Sequence, residues 1–239
     1  LLAFNQVVIK VTNDGLQPVF FAALRSLGGA VCIWLWMRVR GIEVAIRPGK
    51  WPAGLLIGGL FAVEFLLLFL ALDFTTVSRV AVLFYTMPVW LSLGAALLIP
   101  GKRLTARAAA GLALACLGMA LAVLGRDWGA AEVAGGARGW LGDLLAIGAA
   151  LAWAGIALVA RGTRLREVPP ETQLLWQLGV SAPLLGLAAP FFGPFLRDPT
   201  ALHWAGLGFQ IVVVVSAGFL LWLWLLSVYR AASVAAFSF

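Results

Sequence analysis

Seven long apolar stretches, each about the length of a membrane-crossing helix, dominate this sequence. A helix needs about 20 mostly apolar residues to cross the hydrocarbon layer of a bilayer. The stretches lack the alternation of apolar and polar residues that membrane-spanning strands show. Proline, glycine and charged residues interrupt the chain between them. The candidate spans are residues 19–37, 51–72, 77–99, 106–125, 139–160, 172–196 and 202–228.

The composition excludes the other broad classes of protein. Of the 239 residues, 63% are hydrophobic and 11% are charged, whereas a soluble domain carries about 25% charged residues. A soluble chain could not bury so much apolar surface, and a disordered chain would be richer in charge. Cys32 and Cys116 both lie within apolar stretches, so we expect no disulfide framework and no metal site. The sequence predicts an all-α integral membrane protein.

Two shorter apolar segments flank the seven spans, at residues 1–11 and 231–239. The first is too short to cross a bilayer, and the last stops within an apolar run. We therefore expect the chain to represent about nine helices, with both ends truncated.

The net charge of +7 is distributed unevenly over the connections between spans. Eleven of the 17 Lys and Arg residues lie in connections on one side of the predicted bundle and five on the other, with Arg25 inside a span. Cytoplasmic loops carry the excess of Lys and Arg, so the richer side is predicted to be cytoplasmic. Both termini are then cytoplasmic, in a multi-pass protein of the cell (inner) membrane. The positive charge indicates orientation in a lipid bilayer, and we expect no nucleic-acid partner.

The two halves of the chain resemble each other at a nearly constant offset. Pro18 matches Pro170 at 152 residues, and Lys50 matches His203 at 153, each pair followed by a similar apolar run. The offset contains five helices, which is an odd number. The second copy is therefore expected to be inverted in the membrane, as in many secondary transporters.

The repeat also predicts the organisation of the whole protein. We expect a five-helix repeat at residues 1–125, an extracytoplasmic connecting loop at 126–138 and an inverted second repeat at 139–239. The first half continues for 40 residues from Tyr85, the counterpart of Phe239, to the end of its repeat. The second repeat is therefore expected to be incomplete, and the full protein to be a ten-helix bundle.

Three segments resemble parts of a known transporter family. A proline seven residues before an intramembrane arginine (Pro18, Arg25), residues 71–90 (ALDFTTVSRVAVLFYTMPVW) and residues 104–119 (LTARAAAGLALACLGM) resemble helices two, three to four, and five of the EamA-type drug/metabolite transporters. Within that superfamily, the abundant Trp and Phe are most similar to those of the YddG amino-acid exporters. In one departure, Gln177 stands where the repeat would place a second arginine, so the halves cannot bind charge symmetrically.

The resemblance implies a secondary transporter rather than an enzyme. It would export amino acids, mainly aromatic or amphipathic ones, and related metabolites by alternating access through a central cavity. We expect a monomer with the bilayer and a small-molecule substrate as partners, and no cofactor. Two alternatives stay open. An exchanger of sugar phosphates, nucleotide sugars or other anionic metabolites would need clustered Lys and Arg, and a membrane-embedded enzyme or sensor would need a grouped acid/base or metal constellation.

Arg25 and Glu64 are the ionisable residues that lie deepest in the predicted spans. Such a group at a helix centre costs at least about 2.5–3.5 kcal/mol, so it requires a partner or a function. Arg25 could bind a substrate carboxylate, or could tie helices together through carbonyl groups or Glu64. Glu64 could hold a substrate ammonium group, could be a protonation site in proton-coupled export, or could pair with Arg25.

Polar and aromatic residues on other helical faces complete the candidate substrate site. Ser78 and Tyr85 share a face with Pro88, which is expected to kink its helix. The span at residues 172–196 carries two amide groups and an indole on one face. Such groups would be unfavourable in contact with lipid, so this face is expected to point inward. The further candidates are Gln173, Trp176, Gln177, Trp153, Asn5 and Gln210, of which Trp153 lies mid-span, where a Trp more often serves in packing.

Overall fold

The computed structural model describes residues 2–44, 48–98, 105–124 and 139–221, and it is helical apart from short connections. Within these ranges there is no strand, and six stretches are long and apolar enough to cross a membrane. The predicted all-α membrane bundle is confirmed. The helices are α1 (Leu2–Gly15), α2 (Pro18–Arg40), α3 (Trp51–Phe74), α4 (Val77–Phe84), α5 (Met87–Leu98), α6 (Ala106–Leu124), α7 (Gly139–Gly162), α8 (Pro170–Ala188) and α9 (Ala201–Phe209), which continues as the π-helix Gln210–Gly218.

The first helix is longer than the sequence predicted. The apolar pattern indicated a helix within residues 1–11, but α1 continues to Gly15. The last turns of α1 are polar because their side chains bond to neighbouring elements. Lys10 Nζ donates to the carbonyl of Leu72, and Asn13 Nδ2 donates to the carbonyl of Phe69 at 3.1 Å.

Besides the span in which α9 continues as a π-helix, two predicted spans are not single α-helices. The span at residues 77–99 is divided into α4 and α5 by a turn at Tyr85 and Thr86, just before Pro88. The prediction of one helix over residues 172–196 is wrong at its end, because α8 stops at Ala188 and a 3₁₀ turn follows. The apolar character of residues 191–196 concealed this end of the helix, although Pro190, Gly193 and Pro194 favour a break.

Local signals explain why α2 begins and ends where it does. Pro18 occupies the start of the helix, where its missing N–H has no intrahelical partner to lose. The side chain of Gln17 accepts a hydrogen bond from the backbone N–H of Phe20 at 2.6 Å, which caps that end. At the other end, Gly41 has φ of 65°, a left-handed conformation that suits glycine.

The interfaces between helices are related by the internal repeat. Adding the repeat offset to the residues of one interface gives the residues of a second interface. Gly58 of α3 packs against Val180 of α8, and Gly28 of α2 packs against Ile211 of the π-helix. Adding 152 to Gly28 gives Val180, and adding 153 to Gly58 gives Ile211. Each interface therefore places one glycine against one β-branched residue, with the two roles exchanged between the halves. In the same way, the contact of α1 with α9 corresponds to the contact of α7 with α3. Helix α2 packs on its own counterpart, α8.

The equivalent helices α2 and α8 also run in opposite directions. Gln17, at the start of α2, donates from Nε2 to the carbonyl of Ala189 at the end of α8. Near the other end of α2, the carbonyl of Glu43 accepts a hydrogen bond from Thr172 Oγ1 at the start of α8. This antiparallel arrangement is what an odd number of helices between the copies requires.

The α3–α8 interface supplies a stability prediction with an adjacent control. A Cβ atom at Gly58 would lie 2.5 Å from Val180 Cβ and 3.0 Å from the Trp176 carbonyl oxygen, whereas one at Gly59 would meet nothing within 4 Å. We expect Gly58→Ala to destabilise the protein by about 1–3 kcal/mol through overpacking, and Gly59→Ala to be neutral or stabilising. Unfolding of the two purified variants in mixed micelles measures this difference. Equal stability of the two variants would contradict the packing at Gly58.

The connections predicted to lie on the same side of the membrane meet at the same end of the bundle. At the end that holds the arginine-rich connections, here called the basic end, Lys50 Nζ lies 2.7 Å from Glu167 Oε2. This hydrogen bond and the positive charge of Lys50 lower the pKa of the exposed Glu167 carboxyl below its usual range. At the opposite end, the α1–α2 corner meets the connection between α8 and α9 through a bridge between Leu16 and Leu196.

Candidate functional site

Arg25 lies inside the bundle, about two turns into α2 from Pro18. The residue is 1% exposed, and its Nε–H donates to Gln210 Oε1 at 3.1 Å. The ring of Phe65 covers the guanidinium at 4.0 Å, and that of Phe69 lies 5.9 Å away. Nη1 is buried without a hydrogen-bond partner among the described residues. The guanidinium is thus held at one edge and on one face, which leaves Nη1 for another group.

Asn5 orients the side chain that holds Arg25. Gln210 Nε2 donates to Asn5 Oδ1 and, at 3.4 Å, to the Asn5 carbonyl. Because the amide nitrogen of Gln210 faces Asn5, its oxygen faces Arg25 and accepts the Nε–H bond. Gln210 is also the first residue of the π-helix, a conformation that often occurs at functional sites. The sequence suggested Asn5 as a substrate ligand. In the structure its side-chain oxygen accepts a hydrogen bond from Gln210 and so orients the Gln210 amide.

Glu64 lies on α3 beside Phe65 and is 3% exposed. The charge of Arg25 attracts it, but the guanidinium nitrogens and the carboxylate oxygens are more than 4.0 Å apart. Glu64 Oε2 is buried and has no hydrogen-bond partner in the described part of the chain. Buried polar atoms are rarely left unsatisfied, so an open acid–base pair of this kind favours a site for a ligand or water.

Two further buried polar residues on α1 and α2 were missed by the sequence analysis. Ser26 follows Arg25 and Gln6 follows Asn5, and both are buried. Ser26 Oγ and Gln6 Oε1 also lack partners among the described residues. The signal that could have found them is a polar residue directly after a candidate site residue within an otherwise apolar run. With Asn13 Oδ1, Arg25 Nη1 and Glu64 Oε2, they bring the unsatisfied buried polar atoms of α1, α2 and α3 to five among the described residues.

Two predicted site residues lie at the basic end instead of beside Arg25. Gln173 Nε2 donates to the carbonyls of Leu165 and Val168, at 2.8 and 2.9 Å, and so fastens the connection before α8. The ring of Trp176 lies 6.3 Å from that of Trp51 at the start of α3. These contacts place both side chains in the packing of the basic end, and a role of either in binding substrate stays a prediction.

The remaining predicted residues are divided between the middle and the opposite end. Trp153 is half-buried on α7 at about the depth of Glu64, because the glycines on either side of it pack against Leu67 and Leu60 of α3. Gln177 is half-buried next to Leu178, which contacts Gly29 one turn from Arg25. Tyr85 and Pro88 are half-buried at the break between α4 and α5, whereas Ser78 is exposed at the start of α4.

Comparison with known proteins identifies the family. The profile of the EamA-like transporter family matches this chain twice, over residues 1–124 and 140–239. No curated protein matches the chain. A solved structure described as "Crystal structure of protein" is 23% identical to it, with a TM-score of 0.66, and the match covers 91% of this chain and 73% of that one. This likeness shows the fold alone. Because the two profile matches cover nearly the whole sequence, the chain belongs to the EamA-like transporter family and is a multi-pass membrane transporter.

Proposed function

We propose that this transporter exports amino acids, with a preference for aromatic or amphipathic ones, and that Arg25 and Glu64 are the charged groups of its substrate site. The observation that carries the proposal is the open pair itself. Arg25 offers a free Nη1 and Glu64 a free Oε2, both buried and more than 4.0 Å from each other. An amino acid brings one carboxylate and one ammonium group, which are the complements of these two side chains.

The surroundings of the pair favour an apolar or aromatic substrate side chain. Phe61, Phe65 and Phe69 form a continuous series along α3, with ring centroids 4.6 and 5.8 Å apart. Phe21 of α2 packs against Phe69 at 4.9 Å. Aromatic walls of this kind bind rings well, and a few polar groups then fix the orientation of the ligand.

The internal exchange of helix pairs supports transport by alternating access. Two family matches and antiparallel equivalent helices fit the proposed repeats at residues 1–125 and 139–239. In carriers with inverted repeats, the two halves rock around a site near the midplane. We propose that the basic end is cytoplasmic in the cell membrane, as the excess of Lys and Arg predicts.

An exchanger of phosphorylated metabolites is the second candidate. The small number of buried cationic side chains weighs against it. Among the described Lys and Arg residues, only Arg25 is buried. A phosphate dianion is normally held by several cationic or N–H donors in such a site.

Counterflow into liposomes that contain the purified full-length protein tests the proposal. We expect labelled phenylalanine, tyrosine or tryptophan to accumulate when the vesicles are preloaded with the unlabelled compound, and empty vesicles to show no uptake. Sugar phosphates, applied in the same way, are expected to give none. Accumulation of sugar phosphates without any amino-acid counterflow would reverse the ranking of the two candidates.

A further inference from the structure

The connection between α8 and α9 crosses the end of the bundle opposite the basic end and binds the first half of the chain. This segment, residues 193–200, is here called the strap. The backbone N–H of Gln17 donates to the Phe195 carbonyl at 3.0 Å, and that of Arg197 donates to the Gly15 carbonyl at 2.8 Å. These bonds form a short antiparallel ladder around Leu16 and Leu196. The strap therefore joins the α1–α2 corner by its main chain.

Side chains reinforce this attachment. The ring of Phe195 stacks on that of Phe20, with centroids 4.8 Å apart and an interplanar angle of 13°. Arg197 makes two bonds to the carboxylate of Asp73 on α3, at 2.9 and 3.2 Å, and a third to the Asn13 carbonyl at 3.2 Å. One arginine of the second half thus holds both α1 and α3 of the first half.

The strap has the features of a part that can be released. Its ion pair is partly exposed, with Arg197 at 33% and Asp73 at 24%, so water can replace these bonds at little cost. Most of the strap is exposed as well. Two positive φ angles bracket its bonded section, 100° at Gly193 and 56° at Asp198. Hinges are often a few residues of this kind at the ends of elements.

A related contact exists at the basic end. The connection between α2 and α3 is the counterpart of the strap at the repeat offset, since Glu43 corresponds to Phe195. The Glu43 carbonyl accepts a hydrogen bond from Thr172 Oγ1 at 2.9 Å, and Lys50 pairs with Glu167, whose side chain is 55% exposed. The described contacts of this connection include no main-chain ladder. In the part of the two connections that the structure describes, the strap is therefore the more extensively bonded closure.

We propose that the strap is the gate at the end opposite the basic end, and that the substrate site opens to that side only when the strap leaves the α1–α2 corner. The Arg197–Asp73 pair is its latch. This inference rests on the proposed transport function, because a gate matters only if a substrate passes.

A reversible cross-link tests the gate directly. Leu16 and Leu196 face each other in an antiparallel bridge, where Cα atoms lie about 4.5–5.5 Å apart, a spacing that suits a disulfide. We expect Leu16→Cys/Leu196→Cys, built with Cys32→Ser and Cys116→Ser, to lose at least tenfold of its counterflow on oxidation and to regain it with dithiothreitol. The Cys-free parent controls for the oxidant. Equal transport in the oxidised and reduced forms would overturn the proposal.

A second measurement does not depend on any substrate. Spin labels at Val11→Cys and Pro194→Cys, both exposed, in a chain that also carries Cys32→Ser and Cys116→Ser, report the distance between α1 and the strap. We expect the nearly isosteric Asp73→Asn to raise the long-distance population about threefold in liposomes, as the loss of one partly exposed ion pair predicts. An unchanged distance distribution would refute the latch. If no amino acid is transported, the proposed function fails, but this measurement still decides whether the strap opens.

Discussion

Replacing Arg25 by glutamine is expected to slow amino-acid counterflow about 100-fold while the protein stays folded. Glutamine keeps a donor for Gln210 but lacks the charge that would bind a carboxylate through Nη1. A hundredfold loss corresponds to about 2.7 kcal/mol, and hydrogen bonds to charged groups contribute about 1.5–3 kcal/mol. Counterflow rates over a range of tyrosine concentrations, with size-exclusion profiles of the purified variant, measure both parts of this expectation.

Two comparisons separate substrate binding from a structural role. Arg107→Gln removes the same charge from an exposed position on α6 and is expected to transport like the parent. Tyramine has the ring and the amine of tyrosine but no carboxylate. Arg25 should therefore contribute less to the binding of tyramine, which is expected to be a weaker competitor than tyrosine. We expect the preference for tyrosine over tyramine to disappear in Arg25→Gln. If both ligands lose affinity by the same factor, Arg25 acts through the fold and does not bind the carboxylate.

The helices could be predicted from the sequence because a single physical requirement determines their length and composition. Each span must satisfy its own backbone hydrogen bonds in lipid and must be apolar over about 20 residues. The same rule failed at residues 193–196, because apolar side chains also occur in the strap, where Phe195 packs on Phe20. Composition alone does not distinguish a span from an apolar segment that packs over the end of the bundle.

The site could be predicted only in part, for a related reason. The cost of burying charge in lipid directed attention to Arg25 and Glu64, and both are buried. Their partners depend on tertiary packing between residues far apart in the sequence, as with Arg25 and Gln210 across α2 and the π-helix. Helical periodicity showed that Gln173 shares a polar face, but it could not show that its amide is used by two loop carbonyls.

Replacing Glu64 by glutamine is expected to slow counterflow of phenylalanine about tenfold, because the amide lacks the charge that would pair with the substrate ammonium, and to abolish accumulation driven by a pH gradient. Glutamine keeps the shape and neutrality of the protonated acid, so binding of 3-phenylpropionate, which has no amino group, should be unchanged. Glutamine cannot release or take up a proton, and among the described acidic residues Glu64 alone is buried. Liposomes with and without an imposed pH gradient, preloaded equally with substrate, separate the two kinds of transport.

The matched control is Glu43→Gln, because Glu43 is exposed and uses only its backbone carbonyl in the described contacts. That variant should keep the full response to the gradient. If phenylalanine and 3-phenylpropionate lose affinity by the same factor in Glu64→Gln, Glu64 does not bind the ammonium. An equal response of parent and variant to the gradient would contradict a proton site. The deepest carboxylate of the bundle would then be a specificity determinant, and the driving force for export would have to enter elsewhere.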